Sequence, residues 1–95
     1  MKLVWSPEAL EDLRDLHAYI ARDNPAAATK VVRRVVSLVA EQLPANPAIG
    51  RPGRVPGTRE LVITRTPFVV PYRTGPDRIE ILRVYHAARL WPDRL

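Results

Sequence analysis

Ile20-Ala21-Arg22-Asp23-Asn24-Pro25-Ala26-Ala27 decides the fold of this 95-residue chain, because it stops one helix and starts another within a few residues. The residue before a proline avoids the α region, Asn is a favoured N-cap, and Pro is at home in the first helical position. Upstream of this link, Leu10, Leu13, His17 and Ile20 recur at three- and four-residue steps, and Leu16 widens the stripe. That helix begins where Ser6 offers a capping hydroxyl and Pro7 a first-turn proline, with Glu8, Glu11 and Asp12 placed where the helix dipole favours anions. Downstream, Val32, Val35, Val36, Val39 and Leu43 share one face of a second helix from about Pro25 to Leu43. These valines suit a strand individually, but their four-residue recurrence keeps one face apolar only in a helix. Two helices on so short a link form an antiparallel hairpin.

Further outward, Lys2 to Trp5 reads as a short strand. Pro44 to Gly57 holds four of the ten prolines and three of the four glycines and reads as a connecting loop. Three β-rich runs follow, Arg59 to Arg65, Phe68 to Thr74 and Arg78 to His86, separated by Thr66-Pro67 and Gly75-Pro76-Asp77. The last is apolar on both faces, with Ile79 and Ile81 on one and Leu82 and Val84 on the other, as in a central strand. Pro71 cannot donate to a ladder, so a bulge or an unpaired side is expected there. The chain therefore reads as one α+β domain over residues 1–95, of order β-α-α-β-β-β. Its helix hairpin packs on one face of a small twisted antiparallel sheet.

Composition bounds the function. With no cysteine there is no disulfide framework and no thiolate metal site, and no metal or cofactor is expected. No apolar run approaches the roughly 20 residues that span a bilayer, and no targeting segment is evident, so the expectation is a cytoplasmic protein without a membrane partner. The net charge of +5 is unevenly placed. Residues 1 to 50 carry six basic and six acidic side chains, whereas residues 51 to 95 carry nine arginines against Glu60, Asp77, Glu80 and Asp93. Thirteen of the fifteen cations are arginine, whose guanidinium fork binds carboxylate or phosphate bidentately, so an anionic partner is expected. Solvated surface charge is the plain alternative.

Four stretches, in order, resemble the RelE/ParE superfamily of toxins from type II toxin-antitoxin pairs. They are Val4-Trp5-Ser6-Pro7-Glu8-Ala9 with Asp12 and Leu13; Arg54-Val55-Pro56-Gly57 leading into Arg59-Glu60-Leu61; Tyr72-Arg73; and Ile81-Leu82-Arg83-Val84-Tyr85-His86-Ala87-Ala88-Arg89-Leu90-Trp91-Pro92. The last looks like the end of ParE-type chains. The resemblance implies a cognate antitoxin, with which the chain forms a hetero-oligomer, and one of two targets. ParE-like members inhibit DNA gyrase by binding; RelE-like members cut messenger RNA on the ribosome.

Cutting RNA through its 2′-hydroxyl needs a base, cations for the phosphate and a donor for the leaving oxygen. RelE-like enzymes typically place lysines and arginines on the sheet and a Tyr or His near the C-terminus. Here no lysine follows residue 50 and no tyrosine follows His86, which favours the ParE-like reading. His86 with Arg65, Arg73 and Arg83 is the set that a ribonuclease would use. The target-binding set is Arg59, Arg65, Arg73, Arg83, His86, Arg89 and Trp91, and the antitoxin-binding set is Leu13, Leu16, Ile20, Val35 and Val39. A simple nucleic-acid-binding module is the third reading, resting on the basic C-terminal half alone. Several of these residues have plainer roles open to them. His86 can be a structural histidine, His17 a packing residue, Tyr72 a core-edge residue whose hydroxyl finds a partner, and Arg83 simply paired. Trp91 can pin the tail, and Arg59 and Glu60 can pair across strands.

Overall fold

The computed structural model describes residues 1–88, so Arg89 and Trp91 lie outside the described residues. The elements are β1 (Lys2–Trp5), α1 (Pro7–Ala21), α2 (Pro25–Gln42), β2 (Arg51–Pro52), β3 (Arg59–Val62), β4 (Phe68–Thr74), β5 (Arg78–Ile81) and β6 (Tyr85–His86). Both helix starts follow from their caps. Ser6 Oγ accepts from the Ala9 N–H at 3.0 Å and Asn24 Oδ1 from the Ala27 N–H at 3.1 Å, each with proline next in the chain. The link between them is the short one expected, and α1 and α2 pack on each other.

The sheet order is β1-β5-β4-β3-β2, with β6 also on β4. The β3-β4-β5 meander is antiparallel as expected. β1, however, runs parallel to β5, from Lys2 opposite Arg78 to Trp5 opposite Ile81, so the sheet is mixed. Hydrophobic alternation shows which face a strand buries, not which way it runs. The proline-rich loop also contributes a two-residue edge strand, β2, where Arg51 faces Glu60. Proline is tolerated at such an edge because its missing N–H can point to solvent.

Arg78 to His86 is not one strand. Leu82 N–H donates to the Pro71 carbonyl at 3.0 Å, whereas Tyr85 faces Val69. Val70 alone therefore spans Arg83 and Val84, which is a β-bulge. The irregularity expected at Pro71 thus sits on the neighbouring strand. It also brings Val84 into the core with Ile79 and Ile81 instead of onto the opposite face with Leu82, because the extra residue breaks the simple alternation after Leu82. Pro71 lacks the donor that the Leu82 carbonyl would have met, since the N and C=O of one strand residue point the same way. Ser6 Oγ supplies it, donating to the Leu82 carbonyl at 2.8 Å. One hydroxyl thereby starts α1 and completes the sheet.

The core lies between the hairpin and one sheet face. Ala9 and Leu16 of α1, Val35 and Val39 of α2 with Leu43 just beyond it, and Leu61, Val70, Tyr72, Ile79 and Ile81 of the sheet form a single cluster. Tyr72 is fully buried, donates its O–H to the Pro47 carbonyl at 2.8 Å and accepts from the Gly50 N–H at 2.8 Å. It ties the proline loop to the core, and only glycine fits beside it, because a Cβ on Gly50 would stand 2.6 Å from the phenol oxygen. Burial raises the Tyr72 pKa, against the Gly50 hydrogen bond and the nearby Arg59 charge, which lower it. The folded state therefore holds this proton more tightly than the unfolded chain. The contribution is intact below the unfolded value of about 10 and is lost as pH rises through the folded value. Tyr72→Phe should flatten the fall of stability above about pH 10 and, by orphaning two loop groups, cost about 1–3 kcal/mol at neutral pH. Urea unfolding at pH 7 and pH 11 reads both effects.

Among the described residues, no helix is long and apolar enough to cross a membrane, and no group of His, Asp and Glu could hold a metal ion.

Candidate functional site

The arginines of the sheet have separate fates. Arg83 Nε and Nη2 donate to the two carboxylate oxygens of Asp12 at 2.8 and 3.0 Å, and the Val84 N–H donates to Asp12 Oδ2 at 2.9 Å. One carboxylate on α1 thus holds both residues of the bulge. The bond to Asp12 raises the Arg83 pKa despite partial burial, and its guanidinium also lies 4.7 Å from the Tyr85 ring centroid, a cation–π distance. Burial likewise pushes the Tyr85 phenol up, with Arg83 opposing. Sequence reading marked Arg83 because it interrupts an apolar strand. Its partner, 71 residues away, had no local signal.

Arg59 Nη1 donates to the Gly50 and Ala48 carbonyls at 2.9 and 3.3 Å, anchoring the proline loop. Its neighbour Glu60 is 2% exposed and accepts from Arg51 Nε and Nη2 at 3.1 and 3.0 Å and from the Arg54 N–H at 2.8 Å. The expected cross-strand pairing of Glu60 is present, with Arg51 as the partner.

Arg73 is exposed near the C-terminal end of β4, while His86 faces Phe68 at its start. Five residues of strand, about 17 Å, separate those positions along β4. The His86 ring stands edge-on to Phe68 at 5.7 Å, and its Nδ1 accepts from the Ala88 N–H at 3.2 Å. That bond engages the Nδ1 lone pair. Arg65 is exposed in the turn before β4, at the same end of the sheet as His86, because the Ala87 N–H donates to the Pro67 carbonyl at 2.7 Å. The predicted target residues thus divide into a pair at the β6 end, a pair at the far end, and Arg83 committed to Asp12.

Of the predicted antitoxin residues, Val35 and Val39 are fully buried and Leu16 is 8% exposed, all within the core. Ile20 is half-buried, and Leu13 lines an open apolar cleft of about 300 Å³ with Arg14, His17 and Val32, between α1 and α2. His17, expected to pack, is exposed on that cleft. A period-3.6 stripe wide enough to include it is wider than the face that the sheet covers.

Comparison with known proteins gives a consistent answer. The model of a family described as the ParE toxin of type II toxin-antitoxin systems, parDE, matches residues 3–91. Y4kP of Sinorhizobium fredii, whose name carries only a provisional toxin assignment, is 45% identical over 99% of this chain and 96% of its own length. Toxin RelE2 of Caulobacter vibrioides is 35% identical over 94% of this chain and 98% of its own. A solved structure described as the chromosomal ParDE TA system from P. aeruginosa has a TM-score of 0.79 at 37% identity, covering 90% of this chain and 95% of that one. A YoeB/ParE toxin from Agrobacterium tumefaciens shares the fold, with a TM-score of 0.59 at 21% identity over 90% of this chain and 98% of that one.

Proposed function

Because this chain belongs to the ParE toxin family of type II toxin-antitoxin systems, we propose that it arrests growth by binding and inhibiting DNA gyrase, and that a cognate antitoxin silences it. Dispersal of the ribonuclease set is the observation that carries this reading. Arg73 stands about 17 Å along β4 from the His86 position, Arg83 is spent on Asp12, and the His86 Nδ1 is engaged by the Ala88 N–H. A binding inhibitor needs none of these groups to act as base. The open cleft at Leu13 and Val32, rimmed by Arg14 and His17, suits a partner helix that is apolar on one face and acidic beside it, as an antitoxin segment ordering on binding would be.

The test is a supercoiling assay with purified toxin and gyrase, run beside a ribosome-dependent message-cleavage assay. The expected result is loss of supercoiling with intact message. His86→Ala is expected to inhibit within about fivefold of the parent, since most single contacts at an interface contribute about 1 kcal/mol or less. Cleaved message that disappears with His86→Ala would transfer the assignment to the RelE-like ribonuclease. That second reading draws on Arg65 and His86 sharing one end of the sheet.

A further inference from the structure

Arg65 is the one non-glycine residue among those described with a positive φ, at 65°. Its turn is closed by the Thr66 N–H donating to the Ile63 carbonyl at 3.2 Å, with Arg65 in the third of the four positions. A positive φ there alone is the sign pattern of a type II turn, whose third position favours glycine because a Cβ is crowded by the backbone. Yet the turn is heavily built. Thr66 Oγ donates to the Ile63 carbonyl at 2.8 Å and accepts from the Phe68 N–H at 3.1 Å. Arg34 reaches over from α2 and fixes the residue before Arg65, Nε to the Thr64 carbonyl at 2.6 Å and Nη2 to Thr64 Oγ at 2.7 Å. On the other side, the Pro67 carbonyl is taken by Ala87. The turn is held on three sides around a residue whose own side chain is exposed and makes no hydrogen bond or ion pair with any described residue.

Such a strained residue persists only where its surroundings over-determine it, and strain of this kind gathers where a side chain is presented for recognition. Resting on the toxin reading above, we infer that the Ile63–Thr66 turn is a preorganised recognition element. In it Arg65 is the specificity-determining contact with a carboxylate on the target protein, and Arg34 is its positioning residue. A backbone held in place loses little freedom on binding and aims Arg65 outward, and the guanidinium fork matches a carboxylate. A protein partner fits better than a nucleic-acid backbone, because a phosphate track needs a row of free cations. Beside this turn Arg34 is spent on Thr64, and the exposed Arg73 stands at the other end of β4.

Arg65→Gly and Arg65→Ala separate strain from contact. Growth arrest is measured on induction in cells lacking antitoxin, which reads toxicity whatever the target, and thermal unfolding is measured on purified protein. Arg65→Gly is expected to melt at or above the parent temperature while losing growth arrest, and Arg65→Ala to lose arrest at an unchanged melting temperature. Arg34→Ala should weaken affinity for the purified target protein at least fivefold in the Arg65 background and leave the residual affinity of Arg65→Ala unchanged, because it acts through Arg65. Either Arg65 variant arresting growth like the parent would overturn the inference. So would equal Arg34→Ala effects in both backgrounds, or Arg65→Ala losing affinity for bare DNA or RNA and not for the target protein. Arrest by the parent without gyrase inhibition would remove the gyrase assignment and leave this inference standing; a parent that fails to arrest growth would remove both.

Discussion

Asp12→Ala is expected to lower the unfolding free energy by about 2–4 kcal/mol, which is large for one polar substitution. The carboxylate is only 14% exposed and meets three donors, two from the Arg83 guanidinium and one from the Val84 N–H. Removing it leaves a charged group at 31% exposure without its counter-ion and an amide at the bulge without an acceptor. Because the pair is not fully buried, the cost should stay below that of a wholly desolvated charge. Asp12→Asn keeps an acceptor but loses the charge, so it should fall between Asp12→Ala and the parent. Urea denaturation monitored by tryptophan fluorescence gives both numbers. A loss under about 1 kcal/mol for Asp12→Ala would reduce this contact to an ordinary surface ion pair.

Ser6→Ala should cost about 2–3 kcal/mol, more than the roughly 1 kcal/mol expected of an N-cap alone. The excess comes from the Leu82 carbonyl, which Pro71 cannot serve and which Ser6 Oγ meets at 2.8 Å. Ser6→Thr retains the hydroxyl and should stay near the parent. The decisive comparison is made in the Pro71→Ala background, where a backbone N–H becomes available to Leu82. There Ser6→Ala should cost only the cap, so the two substitutions couple by about 1 kcal/mol or more. Additive effects in that cycle would show that the hydroxyl and the proline do not compensate one another.

Both predictions concern residues whose local roles were legible and whose distant partners were not. Ser6-Pro7 and Asn24-Pro25 announce helix starts because capping is decided within four residues, and the hairpin follows. Tyr72 and Arg83 stand out by being polar within apolar strands, which marks them as bonded without saying to what. The contacts from Asp12 to Arg83 and from Ser6 to Leu82 join the first helix to the end of β5 across more than 70 residues, where no periodicity operates. The same limit hid the bulge and the direction of β1. It also hid the burial of Val35 and Val39: a helix stripe shows that one face is covered, but the division between core and partner depends on how far the sheet extends beneath it. The turn at Arg65 escaped because the sequence has no glycine there, and a residue in an unfavourable backbone region leaves no signature in composition.

The parallel pairing of β1 with β5 has a consequence for how the chain matures during synthesis. β1 is made well before its partner strand, because Arg78, which faces Lys2, follows it by 76 residues. At a bacterial elongation rate of roughly 20 residues per second, the first strand waits about 4 s for its neighbour, and at 5 per second about 15 s. Through that interval the helix hairpin can form from local contacts alone, while the sheet face beneath it is open. The Ser6 bond to Leu82 and the Asp12 grip on the bulge close late and together, so the helix hairpin is fastened to the end of β5 only after Leu82 to Val84 have been made.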